Sequence, residues 1–145
     1  TYGCTGWRMG YAAGPTRLID EMAKLQQQTF VCAPSVMQHA MLGAYDIDLE
    51  PLLQTFCTRR DMVVEILGDV MELVVPEGAF YAFPKVPESL SMTGAQFFER
   101  AIEHDVLLIQ GDVFSKHDTH IRLSFAIAND KLERGLLAIR NIIQS

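Results

Sequence analysis

The sequence predicts a mixed α/β chain in two parts: residues 1–45, mostly helical, and residues 46–145, a small α+β domain. Three observations predict it. Apolar residues recur at helical spacing from Leu49 to Val70, a stripe of about six turns. Residues 120–126 alternate, with Ile121, Leu123 and Phe125 on one face and Arg122 and Ser124 on the other. Thr93-Gly94-Ala95-Gln96 matches a capping box, followed by Phe97, Phe98, Ala101 and Ile102 as the expected buried face. The length of 145 residues suits one domain, or a domain plus part of another. With 49% hydrophobic and 21% charged residues, disordered and collagen-like classes are excluded.

The elements follow in order. Residues 7–12 (WRMGYA) read as a short strand between glycines. Gly14-Pro15 opens a helix, since proline tolerates the first turn, and Leu18, Ile19, Met22 and Leu25 follow at helical spacing until a Gln run ends it near Thr29. Pro34-Ser35 starts a second helix, expected to bury Val36, Met37, Ala40, Met41 and Ala44. Asp48 is a good N-cap for the long third helix, Pro51 fits its first turn, and Gly68 marks its end; a domain junction is expected at 45–48. Residues 72–75 and 78–83 read as strands split by Pro76-Glu77-Gly78. Residues 106–109 form an apolar strand, 110–119 a polar loop and 120–126 the alternating strand. Asp130 reads as the cap of a last helix, with Glu133 at its third position and Leu132, Leu136, Ile139 and Ile143 as its stripe.

Twelve Lys and Arg stand against eighteen Asp and Glu, a net charge of −6. No clustered positive field exists to hold nucleic acid or an anionic membrane, although a phosphate site built on one Arg is allowed. No apolar run reaches the roughly 18 residues of a membrane span. Cys4, Cys32 and Cys57 are odd in number and form no C-x-x-C pair, so they read as small buried thiols of a reducing, cytoplasmic compartment.

Two arginines stand out. Arg8 lies within GWRMG, where a cation facing a dry core needs a partner. It is either a snorkelling or carboxylate-paired side chain or an anion site, its guanidinium fork suiting a phosphate. Gly6 and Gly10 would let a ligand approach, while the spacing of Gly6, Gly10 and Gly14 is not a dinucleotide fingerprint. Arg122 faces away from its strand's core side. Facing water it is a surface charge; covered, it needs an anion, which a substrate carboxylate would supply. His39, His104, His117 and His120 read as solvated or hydrogen-bonding, and no metal site is expected. Ser35, Ser115 and Ser124 lack a nucleophile elbow. Asp112 and Asp118 read as a carboxylate pair or as acceptors for loop amides.

Three segments carry a resemblance. TYGCTGWRMGYAAGP resembles the segment that follows the cofactor lysine in fold-type I, pyridoxal-phosphate-dependent class I/II aminotransferases. PEGAFYAFPKV resembles that family's glycine–aromatic segment, and VLLIQGDVFSKHDTHIRLSFA its C-terminal substrate-carboxylate motif. They occur in the family's order and cover nearly the whole chain. The resemblance implies that Arg8 binds the phosphate of pyridoxal phosphate and that Arg122 binds the substrate α-carboxylate. It implies that residues 1–45 end the large cofactor domain, that 46–145 form most of the small domain, and that the protein is a homodimer. The reaction implied is transamination between an α-amino acid and a 2-oxo acid.

The family's Schiff-base lysine would precede Thr1, and Lys24, Lys85, Lys116 and Lys131 match no motif. The chain opens with Thr1, without a methionine or leader-like stretch, and is expected to be a piece of a longer enzyme, inactive by itself. Gln110 stands where a proline is common, and Asp112 and Ser115 replace frequent Ser and Gly. A β-lyase acting on carbon–sulfur bonds, or an aminotransferase-like sensor domain of a regulator, are the alternatives. A free-standing binding module is disfavoured, because the helices of residues 1–45 have too little partner surface within the chain.

Overall fold

The computed structural model describes residues 2–145. The chain divides into two compact units, Thr1–Leu49 and Glu50–Ser145.

The first unit contains a 3₁₀ turn at Thr5–Trp7, helix α1 (Thr16–Thr29), helix α2 (Ser35–Leu42) and a 3₁₀ turn at Gly43–Asp46. Pro15 and Pro34 each stand at the N-cap, just ahead of the first helical residue. The expected strand over 7–12 does not form. A strand exists through its ladder, and no neighbouring strand supplies one here. The expected burial of α2 is corrected as well: among the described residues of this unit Ala44 alone is buried, and Val36 is 73% exposed. Leu18, Met22 and Leu25 on α1, and Phe30 and Val31 after it, also lie exposed. The helical spacing is right, but an apolar stripe is buried only when another layer covers it.

The second unit has a core and a small sheet. Its elements are α3 (Glu50–Leu67), β1 (Tyr81–Ala82), α4 (Gly94–Ile102), β2 (Ile109–Gln110), β3 (Ile121–Ser124) and α5 (Asn129–Gln144). β3 is central and pairs antiparallel with both neighbours, Tyr81 opposite Ser124 and Ile109 opposite Arg122. Ile121, Leu123 and Phe125 turn inward to meet Phe97 and Ala101 of α4, Val63 and Leu67 of α3, and Leu132, Leu136, Ile139 and Ile142 of α5. Mixed helices around a small sheet match the predicted fold class.

Local signals account for the boundaries. The capping box forms as read: Gln96 N donates to Thr93 Oγ1 at 3.2 Å, and Thr93 N donates to Gln96 Oε1 at 2.9 Å. The last helix starts earlier than expected, with Ala128 at the N-cap and no side-chain cap, so Asp130 lies inside the first turn, where its charge suits the helix dipole. The strands are shorter than expected. Of 72–75 only a bridge from Glu72 to Lys85 survives, and of 106–109 only Ile109 enters β2. Val74 and Leu107 are 85% and 83% exposed, so apolar character there does not mark a core strand.

The end of α3 is tied to α5 by one ion pair. Arg140 reaches Asp69 with both guanidinium nitrogens, at 2.5 and 2.6 Å, and also donates to the Ile66 carbonyl at 2.6 Å. Hydrogen bonding from Arg140 holds the Asp69 carboxyl below its ordinary pKa. A carboxylate with a depressed folded-state pKa contributes stability above its unfolded value, and this is lost as pH falls through the folded value. Asp69→Asn is therefore expected to lower the denaturation midpoint at neutral pH. The difference from wild type should narrow as pH drops below the carboxylate range, and a pH-independent difference would contradict it.

Candidate functional site

Arg122 carries the most telling geometry. It sits on the outward face of β3 and is half-buried. Its guanidinium carbon lies 4.3 Å from the ring centroid of Tyr81 and 4.1 Å from that of Phe114, one ring from β1 and one from the loop after β2. Cation–π attraction accounts for the stack. Among the described residues no carboxylate pairs with Arg122. The side chain lines a cleft of about 510 Å³ together with Tyr81, Phe98, Leu107, Ile109 and Val113. A guanidinium held against two rings, with no acidic partner among the described residues, keeps N–H donors available to a planar anion such as a carboxylate.

The loop that carries Phe114 is pinned by backbone. Gly111 N donates to the His120 carbonyl at 2.8 Å, and a Cβ on Gly111 would collide with that carbonyl. Gly94 N donates to the Asp118 carbonyl at 3.0 Å, and the Asp118 carboxylate accepts from Ala95 N at 3.0 Å. Asp118 therefore bonds amides at the start of α4 rather than amides of its own loop. His120 stacks on Phe83 at 5.0 Å with the rings nearly parallel.

Arg8 is placed differently. It follows the 3₁₀ turn in the left-handed region (φ 53°) and is exposed. Its guanidinium makes one long hydrogen bond, donating to the Thr5 carbonyl at 3.4 Å. A Cβ on Gly6 or Gly10 would meet nothing within 4 Å, so the space beside Arg8 is open to a ligand. A fixed turn that presents an under-used guanidinium fits the phosphate end of pyridoxal phosphate. Arg8 and Arg122 belong to different units, and each site stands on its own unit's geometry.

The other candidates are absorbed by local structure. Lys85 donates to Glu88 at 2.7 Å, and that carboxylate holds its pKa above the ordinary value, so it stays protonated and is a poor nucleophile. Lys24 pairs with Glu21. The expectation of buried thiols is corrected: Cys4 and Cys57 are half-buried and Cys32 is exposed, all three free. The cysteines were read from composition, which carries no information about which layer covers them. Among the described residues no helix is long and apolar enough to cross a membrane. Tyr81 and Phe114 were not singled out from sequence. The β1 alternation could have pointed to Tyr81, whereas Phe114 sits in a loop without periodicity.

Comparison with known proteins places the chain in a family. Residues 1–139 match the family model described as aminotransferase class I and II. The chain is 35% identical over 147 residues to the aspartate aminotransferase of Thermotoga maritima, covering 100% of this chain and 38% of that protein. The crystal structure of the Thermotoga maritima aspartate aminotransferase superposes with a TM-score of 0.85 at 35% identity, over 98% of this chain and 37% of the other. That of the aromatic aminotransferase of Pyrococcus horikoshii gives 0.83 at 28% identity, over 97% and 40%. The chain thus spans about two fifths of the length of the proteins it resembles. Members of this family depend on pyridoxal phosphate. With a family match over residues 1–139 of its 145, the chain belongs to the class I and II aminotransferases.

Proposed function

We propose that this chain contributes the C-terminal part of the large domain and most of the small domain to a pyridoxal-phosphate-dependent aminotransferase that exchanges an amino group between an α-amino acid and a 2-oxo acid. The observation that carries the reading is Arg122, half-buried between two rings without an acidic partner. Its role is to bind the substrate α-carboxylate, which every amino acid presents. Holding the carboxylate limits rotation about Cα and so orients the bond to be broken. Arg8 holds the cofactor's phosphate. When bound, the cofactor supplies the sink for the electron pair released at Cα. The intact protein is proposed to be a cytoplasmic homodimer. The exposed apolar side chains of α1 and the segment after it support further packing partners for the first unit.

The test is a product assay on the full-length protein with pyridoxal phosphate and a panel of amino acids. A 2-oxo acid together with a new amino acid is expected; pyruvate with ammonia and sulfide from cysteine-like substrates would replace this reading by a lyase. Arg8→Ala is expected to raise the cofactor dissociation constant by about tenfold to a hundredfold, the loss of a charge-assisted contact worth about 1.5–3 kcal/mol. Dialysis followed by cofactor absorbance checks it, and retention equal to wild type would remove Arg8 from the phosphate site.

A further inference from the structure

Resting on the carboxylate role just proposed, we infer that Tyr81 and Phe114 are positioning residues whose rings clamp the Arg122 guanidinium in place for the substrate. All guanidinium donors lie in one plane, and the faces above and below it are weakly hydrated. The guanidinium carbon lies over both rings, 4.3 Å from the centroid of Tyr81 and 4.1 Å from that of Phe114. An arginine on a strand otherwise swings through many rotamers, so the clamp removes freedom that carboxylate binding would have to remove itself.

The rings are themselves braced. Tyr81 lies opposite Ser124, which makes it a diagonal neighbour of Arg122 within reach of a long side chain. It also stands 4.4 Å from Phe80, which meets Phe56 of α3 at 6.2 Å. Phe114 is met edge-on by Phe83 at 6.4 Å, and Phe83 is stacked on His120. One side of the clamp thus leans on α3 and the other on the loop pinned by Gly111, so the guanidinium plane is set by two separate parts of the second unit.

The test measures binding of succinate and 3-phenylpropionate, carboxylates without a reactive amine, to the full-length protein by calorimetry, with and without pyridoxal phosphate. Tyr81→Leu and Phe114→Leu remove a ring, Tyr81→Phe and Phe114→Tyr keep one, and Arg122→Ala is the reference. Each ring-removing change is expected to weaken binding about three- to tenfold, and the ring-keeping changes to restore it. Equal losses in ring-keeping and ring-removing variants would overturn the clamp, because a general packing defect does not depend on the ring. Wild-type binding in the ring-removing variants, with binding lost in Arg122→Ala, would overturn the clamp and leave the carboxylate role standing. Wild-type binding in Arg122→Ala, or no binding of either probe by wild type, would overturn both.

Discussion

Arg122→Ala in the full-length enzyme is expected to raise the KM for the amino acid by about a hundredfold, because a bidentate charge-assisted pair worth about 3 kcal/mol is lost. The catalytic rate should fall as well, since the carboxylate that limits rotation about Cα is no longer held. Arg122→Lys should recover little. An ammonium is a point charge on a flexible stem, and it cannot stack on Tyr81 and Phe114 as a planar guanidinium does or present a two-pronged donor edge. Cofactor affinity should stay near wild type, because the phosphate contact is assigned to Arg8 on the other unit. Steady-state kinetics with a saturating 2-oxo acid would measure the effect. An unchanged KM would remove Arg122 from the substrate site and turn its ring stack into a purely structural feature.

Phe97→Ala is expected to destabilise the protein by about 3–5 kcal/mol, a large share of the about 5–15 kcal/mol that holds an ordinary domain together. Phe97 is fully buried at the meeting of α4, β3 and α5, so its removal leaves a cavity that rigid neighbours cannot close. Ile102, five residues further along α4, is 48% exposed, which corrects its expected place on the buried face. Ile102→Ala should cost less than about 1.5 kcal/mol, as for an apolar side chain that remains largely in water. Urea midpoints of the two variants beside wild type would decide. Similar losses at both positions would mean that α4 does not present the face described here. Because β3 carries Arg122 on its outer side and Ile121 and Leu123 on its inner side, the Phe97 change should also blunt carboxylate binding.

Much of this was legible beforehand. The apolar spacing from Leu18 to Leu25 and from Leu49 to Leu67 sufficed for α1 and α3, because helix formation depends on neighbours three and four residues away. Thr93 and Gln96 located the start of α4 for the same reason: both partners of the capping box lie within one turn. Alternation over residues 120–126 sent Ile121, Leu123 and Phe125 inward and Arg122 outward, as observed. The sequence by itself therefore determined the fold class, the main helices, the facing of β3 and the two arginines proposed here as anion sites.

Only the tertiary structure decided the rest. Residues 7–12 and 72–75 have strand-like composition but no ladder beside them, and backbone pairing is a property of two segments rather than one. The stripes of α1 and α2 could not reveal that they lie bare within their unit, since burial depends on what a neighbouring layer covers. The setting of Arg122 joins residues from β1, from β3 and from the loop after β2, more than thirty positions apart between Tyr81 and Phe114. No periodicity links such positions. They meet because antiparallel pairing sets Tyr81 diagonal to Arg122 and because the Gly111–His120 contact turns Phe114 back over it.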